Sequence, residues 1–162
     1  MKPIVNINAD DLPIREINQD NKFVATVNRL GPLIGAQKLG CSVVTVPAGK
    51  RAWPFHAHQN NEEMFIVLEG NGLLRFGDEQ HAISAGDVIA CPPDLGKAHQ
   101  IINDSNNPLK YLAISTMLEP DVGYYPDSDK YLAYTLGDKE GNNRFWLMNR
   151  VQENLNYYEG EE

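Results

Sequence analysis

Between residues 23 and 116 the chain repeats one pattern that restricts its fold more than any other feature: a short run of β-branched, aromatic and other apolar residues, then a turn. The runs cover 23–27, 41–46, 64–68, 72–76, 81–84, 88–91, 99–103 and 109–116. Turn residues separate them at Gly31-Pro32, Pro47-Ala48-Gly49, Gly70-Asn71-Gly72, Gly77-Asp78, Ala85-Gly86-Asp87, Pro92-Pro93-Asp94 and 103–108. Runs of this length bounded by Gly, Pro, Asn and Asp read as strands. No segment keeps a helical period long enough for a packed helix, and no internal repeat is visible. The expected fold class is therefore all-β, a sandwich or a barrel.

Inside this frame His56 and His58 stand at i and i+2. On an extended segment both side chains point to one face, so they can share one ion. Glu63 just after them, and His99 after a gap of forty residues, would complete three neutral nitrogens and one anionic oxygen. That set suits a borderline divalent metal. His81, the remaining histidine, lies in a polar turn-like context and reads as solvated.

The spacing carries a resemblance. Gly49, six residues, His56-Ala57-His58, four residues, Glu63, six residues and Gly70 resemble the first motif of the cupin superfamily, small β-barrels that hold a metal between strands, with one extra residue after the first Gly. Gly86, five residues, Pro92, then Gly96, Lys97-Ala98, His99, three residues and Asn103 resemble the second, with extra residues between Pro92 and Gly96. The resemblance implies a cupin double-stranded β-helix, a jelly-roll barrel over 23–117, flanked by an N-terminal arm (1–22) and a C-terminal extension (118–162) that packs on it. It also implies that His56, His58, Glu63 and His99 ligate one divalent transition metal, Zn, Mn, Fe, Co or Ni. Glu62 is the neighbouring carboxylate, but only Glu63 keeps the six-residue step to Gly70. Cys41 and Cys91 read as small buried hydrophobes in a reducing compartment, with a thiol ligand at Cys91 as the sharper alternative.

A chain of 162 residues is most simply one domain. Its net charge of -8 argues against nucleic acid or an anionic membrane as partner, and leaves a small-molecule substrate. No apolar run is long enough to span a bilayer and the first residues lack a signal-peptide core, so cytoplasmic residence is the expectation. The run at 63–68 is apolar on both faces, which predicts a cover on the outside and, with it, a homodimer. After residue 117, 120–129 reads as a loop, 131–136 and 143–150 as further strands, and 157–162 as an aromatic, then acidic, tail.

A cupin metal site keeps a coordination position open for substrate. The resemblance then implies isomerisation of a sugar or sugar phosphate as the leading function, iron-dependent dioxygenation of a chelated small molecule as the second, and ligand binding without turnover as the third. Glu63 is the candidate catalytic residue. Lys50, Arg51 and Lys97 flank the ligand positions and are candidates to bind an anionic or phosphorylated polyol. Trp53, Phe55 and Phe65 offer apolar wall, and the facing of Arg75 depends on register. No Ser-His-Asp set, phosphate loop or dinucleotide fingerprint is present.

Overall fold

A computed structural model describes residues 2–137, 144–153 and 155–161. The apolar runs form strands: β1 Arg15–Gln19, β2 Phe23–Arg29, β3 Leu39–Val46, β4 Ala57–His58, β5 Glu63–Glu69, β6 Asn71–Phe76, β7 Glu79–Ser84, β8 Val88–Cys91, β9 His99–Ile102, β10 Leu109–Thr116, β11 Asp121–Tyr125, β12 Lys130–Thr135 and β13 Phe145–Arg150. A four-residue helix, Gly31–Ile34, follows β2. The strand expected at 143–150 is seen over Phe145–Arg150, and Asn143 lies outside the described residues. Among the described residues no helix is long and apolar enough to cross a membrane.

Three antiparallel sheets result, ordered β1-β2-β3-β10-β5-β8, β7-β6-β9 and β13-β12-β11-β4. The fold is the cupin β-barrel that the motif spacing implies. Its core lies between the first two sheets. Ala25 and Val27 of β2, Val44 and Val46 of β3, Phe65 and Val67 of β5 and Tyr111 of β10 meet Leu74, Ile83 and Ile101 from the opposite side. Along β2 and β5 the buried residues alternate, as pleating requires.

Two segments differ from the expectation. The arm contributes β1, an edge strand paired with β2 from Arg15↔Val27 to Gln19↔Phe23. Residues 121–125, expected as loop, form β11 between β12 and β4. Gly123 and the flanking prolines read as turn chemistry, but pairing on both sides satisfies the backbone and overrides that local preference.

The motif residues that do not face the metal position hold the frame. Gly70 has φ +84°, and a Cβ there would strike the Pro108 carbonyl oxygen, so only glycine fits. Asn103 is fully buried. Its amide donates to the Val46 carbonyl at 2.8 Å and the Asn107 carbonyl at 2.7 Å, while its oxygen accepts from Ser105 N–H and Oγ. It therefore pins the β9–β10 loop to β3.

Candidate metal centre

Four side chains converge at one end of the barrel because of backbone pairing. The His56 N–H donates to the His99 carbonyl at 3.1 Å and the His99 N–H donates to the His56 carbonyl at 2.7 Å. The two imidazoles thus stand opposite each other, with centroids 4.7 Å apart. His58 follows on β4, held by its register with Gly123 of β11, and Glu63 opens β5. Glu63 Oε2 lies 2.8 Å from His99 Nε2 and 3.7 Å from the Nε2 atoms of His56 and His58. The ligand atoms of His56, His58 and Glu63 all lie within 4.8 Å of one another. Ligands each about 2.1 Å from a common ion stand roughly 3–4 Å apart, so this group could hold a divalent metal. Glu62 is exposed and outside the cluster, its N–H bonded to Thr116 Oγ1.

The hydrogen bonds on the far side of the rings also fit a metal. His56 Nδ1–H donates to the Pro54 carbonyl at 2.9 Å, and His58 Nδ1–H donates to Asp121 Oδ2 at 2.6 Å. In the neutral ring both contacts put the proton on Nδ1 and leave Nε2 to face the cluster, the tautomer a metal needs. Asp121 is 1% exposed and also accepts from Asn60 N–H at 3.0 Å and Tyr134 Oη at 3.3 Å. Burial raises its pKa, but the bonds from His58 and its neighbours outweigh that and hold it at about 2.

The same forces sort the candidate ligands. Burial, reinforced by His99, lowers His56 to about 4, so its ring is neutral at physiological pH. Burial also pulls His58 down, but the Asp121 hydrogen bond reverses the sign and leaves it raised. For Glu63 burial pushes up, yet the His99 hydrogen bond and the three imidazoles lower it, so the carboxylate is ionised. Cys91 sits opposite Glu63 in the β5–β8 register. Burial and the Glu63 charge push its thiol up to about 12, so without a metal it is protonated at neutral pH.

Residues 42–115 match the model of the cupin domain family, and that span holds all four donors. That span is a cupin domain. The chain is 39% identical over 70 residues to an uncharacterised protein of Methanocaldococcus jannaschii, covering 43% of this chain and 54% of that protein. Over 63 residues it is 35% identical to an oxalate-binding protein of Thermotoga maritima, covering 39% and 50%. The chain thus spans about half the length of these curated relatives. Among solved structures it is similar to an Acidithiobacillus ferrooxidans protein whose assignment as a sugar phosphate isomerase is provisional, with TM-score 0.82, 25% identity, and 95% and 96% of the two chains covered. A cupin-superfamily sugar phosphate isomerase from Silicibacter pomeroyi shares the fold at TM-score 0.77 and 22% identity, over 92% and 94%.

Three of the four donors, His56, Glu63 and His99, border a cavity of about 260 Å³ that Trp53, Phe65, Gln100, Ile101 and Tyr111 also line. The three cations expected beside the ligands do not line it. Lys50 Nζ donates to the backbone and side-chain oxygens of Asn21, at 2.6 and 3.0 Å. Arg51 is bridged to β2 and β9 through its backbone, and Lys97 borders a separate surface depression with Glu79 and His81. Arg75 stacks on Phe55 and pairs with Asp127 at 2.8 Å. Phe55 itself packs with Ala57 and Ala98 outside the main core. His81 is exposed and pairs with Glu79.

Sequence reasoning missed Asp121 and Tyr125, because both fall in the segment read as loop. Tyr125 stacks on His56 with ring centroids 5.9 Å apart. The available signal was alternation: Asp121, Gly123 and Tyr125 share one face of a run whose other face carries Val122 and Tyr124.

Proposed function

We propose that this cupin is a metal-dependent isomerase of a sugar or sugar phosphate. The observation that carries the proposal is the continuity of the donor cluster with a cavity sized for a small molecule. A closed structural metal site has no such opening, whereas a catalytic site keeps a position accessible to substrate. A divalent ion held by His56, His58, Glu63 and His99 would supply Lewis-acid polarisation of adjacent substrate oxygens.

The chain's own groups supply the rest. Gln100 donates Nε2–H to the Trp53 carbonyl at 2.7 Å, which leaves its Oε1 to accept from a substrate hydroxyl. Tyr111 is fully buried, and burial together with Glu63 raises its pKa, so its Oη keeps its proton. From the cavity wall it donates a hydrogen bond to the substrate oxygen that gains charge as a proton leaves the adjacent carbon. Glu63 is the carboxylate on that wall. With its Oε2 turned to the imidazoles, its other oxygen, Oε1, takes this proton and returns it to the neighbouring carbon, while the hydroxyl proton passes to the former carbonyl oxygen, so one C–H and one O–H bond break, one of each forms, and no net oxidation occurs. Trp53, Phe65 and Ile101 restrict water around these steps. The likeness to the Acidithiobacillus protein over nearly the whole of both chains supports the choice of substrate class.

The oxalate-binding relative favours a second function, capture of a small oxygen-rich ligand without turnover. Sugar phosphates incubated with the Mn, Zn and Fe forms in deuterium oxide separate the two. Isomerisation predicts deuterium entry at the carbon beside the carbonyl. Oxygen uptake by the Fe form without exchange would replace isomerase by dioxygenase, and silence in both channels would leave a binding protein.

A further inference from the structure

We infer that Arg29 is the anion anchor of the cupin cavity, so that the site takes a substrate bearing a phosphate or carboxylate at the end remote from the metal donors. This deepens the function proposed above, from which it takes the premise that the cavity is the substrate site.

Arg29 is the last residue of β2. Pleating puts it on the same face as Ala25 and Val27, which are buried in the core, so its side chain leaves the strand on the inner face. It is nevertheless exposed, because β2 ends there and the barrel opens. A strand position that faces inward but stays wet is the rim of a lumen, and Arg29 does line the cavity.

The sheet register fixes where this rim stands relative to the donors. Arg29 pairs with Ser42, Ser42 with Ala113, and Ala113 with Phe65, one row across β2, β3, β10 and β5. Glu63 lies two residues from Phe65 on the same face of β5. Three strand steps of about 4.8 Å put Arg29 roughly 14 Å from β5 along the sheet, and the curl of the barrel makes the path through the lumen shorter. A small molecule spanning the cavity therefore meets the His and Glu donors at one end and a guanidinium at the other.

Charge balance points the same way. Among the residues lining the cavity Arg29 is the one permanent cation, and the single carboxylate, Glu63, is already matched by three imidazoles. The Arg29 guanidinium has no hydrogen-bond or ion-pair partner among the described residues. Its planar fork matches phosphate and carboxylate oxygens in pairs. Lys50, by contrast, is spent on Asn21 and Lys97 lies on another face.

Calorimetric titration of the Zn-loaded protein with fructose 6-phosphate, fructose, gluconate and sorbitol tests the assignment. Wild type should bind at least one anionic probe more than tenfold tighter than its neutral counterpart. Arg29→Gln should weaken that probe about 10- to 100-fold, the range for hydrogen bonds to a charged group, with the neutral probes and the bound Zn unchanged. Arg29→Lys should recover part of the loss. The anion whose affinity depends more strongly on Arg29 identifies phosphate or carboxylate as the recognised group. Equal affinity of wild type for charged and neutral probes would overturn the assignment, and so would anion binding that Arg29→Gln leaves intact. Arg29-dependent binding without deuterium exchange would overturn the isomerase proposal and leave the anchor standing.

Discussion

Replacing Asp121 by Asn tests whether the extension governs the metal site. The wild-type carboxylate accepts from three donors, His58 Nδ1–H at 2.6 Å, Asn60 N–H at 3.0 Å and Tyr134 Oη at 3.3 Å. Asparagine has the same shape but only one accepting oxygen. If that oxygen stays on the Asn60 N–H, the amide N–H faces His58 Nδ1 and makes it the acceptor. The ring proton then moves to Nε2, the atom that must offer its lone pair to a metal. Loss of such a second-layer partner costs about 10- to 100-fold in metal affinity, or about 1.4–2.8 kcal/mol. Competition against a chromophoric chelator measures it, with Zn as the probe and Asp127→Asn as control, since Asp127 is exposed and pairs with Arg75 outside the cluster. Nitrogen chemical shifts of His58 should report the tautomer switch directly. A folded Asp121→Asn protein that binds Zn within twofold of wild type would refute the reasoning.

Other outcomes follow from the same geometry. Removing the metal with a chelator, or changing His56, His58 or His99 to Ala, should lower the melting temperature, because an ion bound only by the folded state adds about 2.7 kcal/mol at a hundredfold excess over its dissociation constant; Glu62→Ala should keep both metal and stability, and a Glu62 variant that lost metal while Glu63→Ala kept it would reverse the ligand assignment. In the metal-free protein Asp121 stabilises above the ordinary carboxylate range, and that contribution of about 2 kcal/mol is lost as pH falls toward about 2. The raised His58 stabilises below about pH 6.5 and that part is lost as pH rises through its higher folded value, so chemical denaturation across pH should show the two limbs, and Zn uptake near neutral pH should release a proton. Gly70→Ala should cost about 1–3 kcal/mol or more in a denaturation midpoint, from positive φ alone before the clash with Pro108. The expected homodimer should cover exposed side chains such as Phe145, Trp146 and Leu147 on β13, and light scattering that returned one stable chain of about 18 kDa at micromolar concentration would remove it.

The barrel was legible in the sequence where local signals agreed. Apolar runs bounded by Gly, Pro and Asn located the strands of the cupin domain, because turn chemistry and pleating act within a few residues. The donor positions were legible for a different reason: His56 and His58 share a face whatever the rest of the chain does. What stayed hidden depended on closure of the barrel. Lys50, Arg51 and Lys97 are near the ligands in sequence, but a strand carries the chain away by about 3.3 Å per residue, and each side chain found another environment. Arg29 is far from the ligands in sequence and is brought to their cavity by three strand pairings. The apolar run ends at Val27, two residues short of the rim, so no local signal marks Arg29.

The extension shows why the spacing of a motif is not yet a site. His58 has its Nε2 on the cluster, but nothing within 42–115 fixes its Nδ1; the partner comes from β11, which hydrogen-bonds to the two-residue strand that carries His58. A strand as short as β4 has little stability of its own, and its pairing with β11 supplies the alignment that the histidine pair needs. Tyr125, on the same face of β11, stacks against His56, so one added strand braces both members of the His56-Ala57-His58 run. Tyr134 on β12 then holds Asp121 in turn. The order of dependence runs from β12 through β11 to the imidazoles, and a lesion in the extension should therefore register first as weakened metal binding and only afterwards as loss of the barrel, whose core of β2, β3, β5 and β10 residues is built without it.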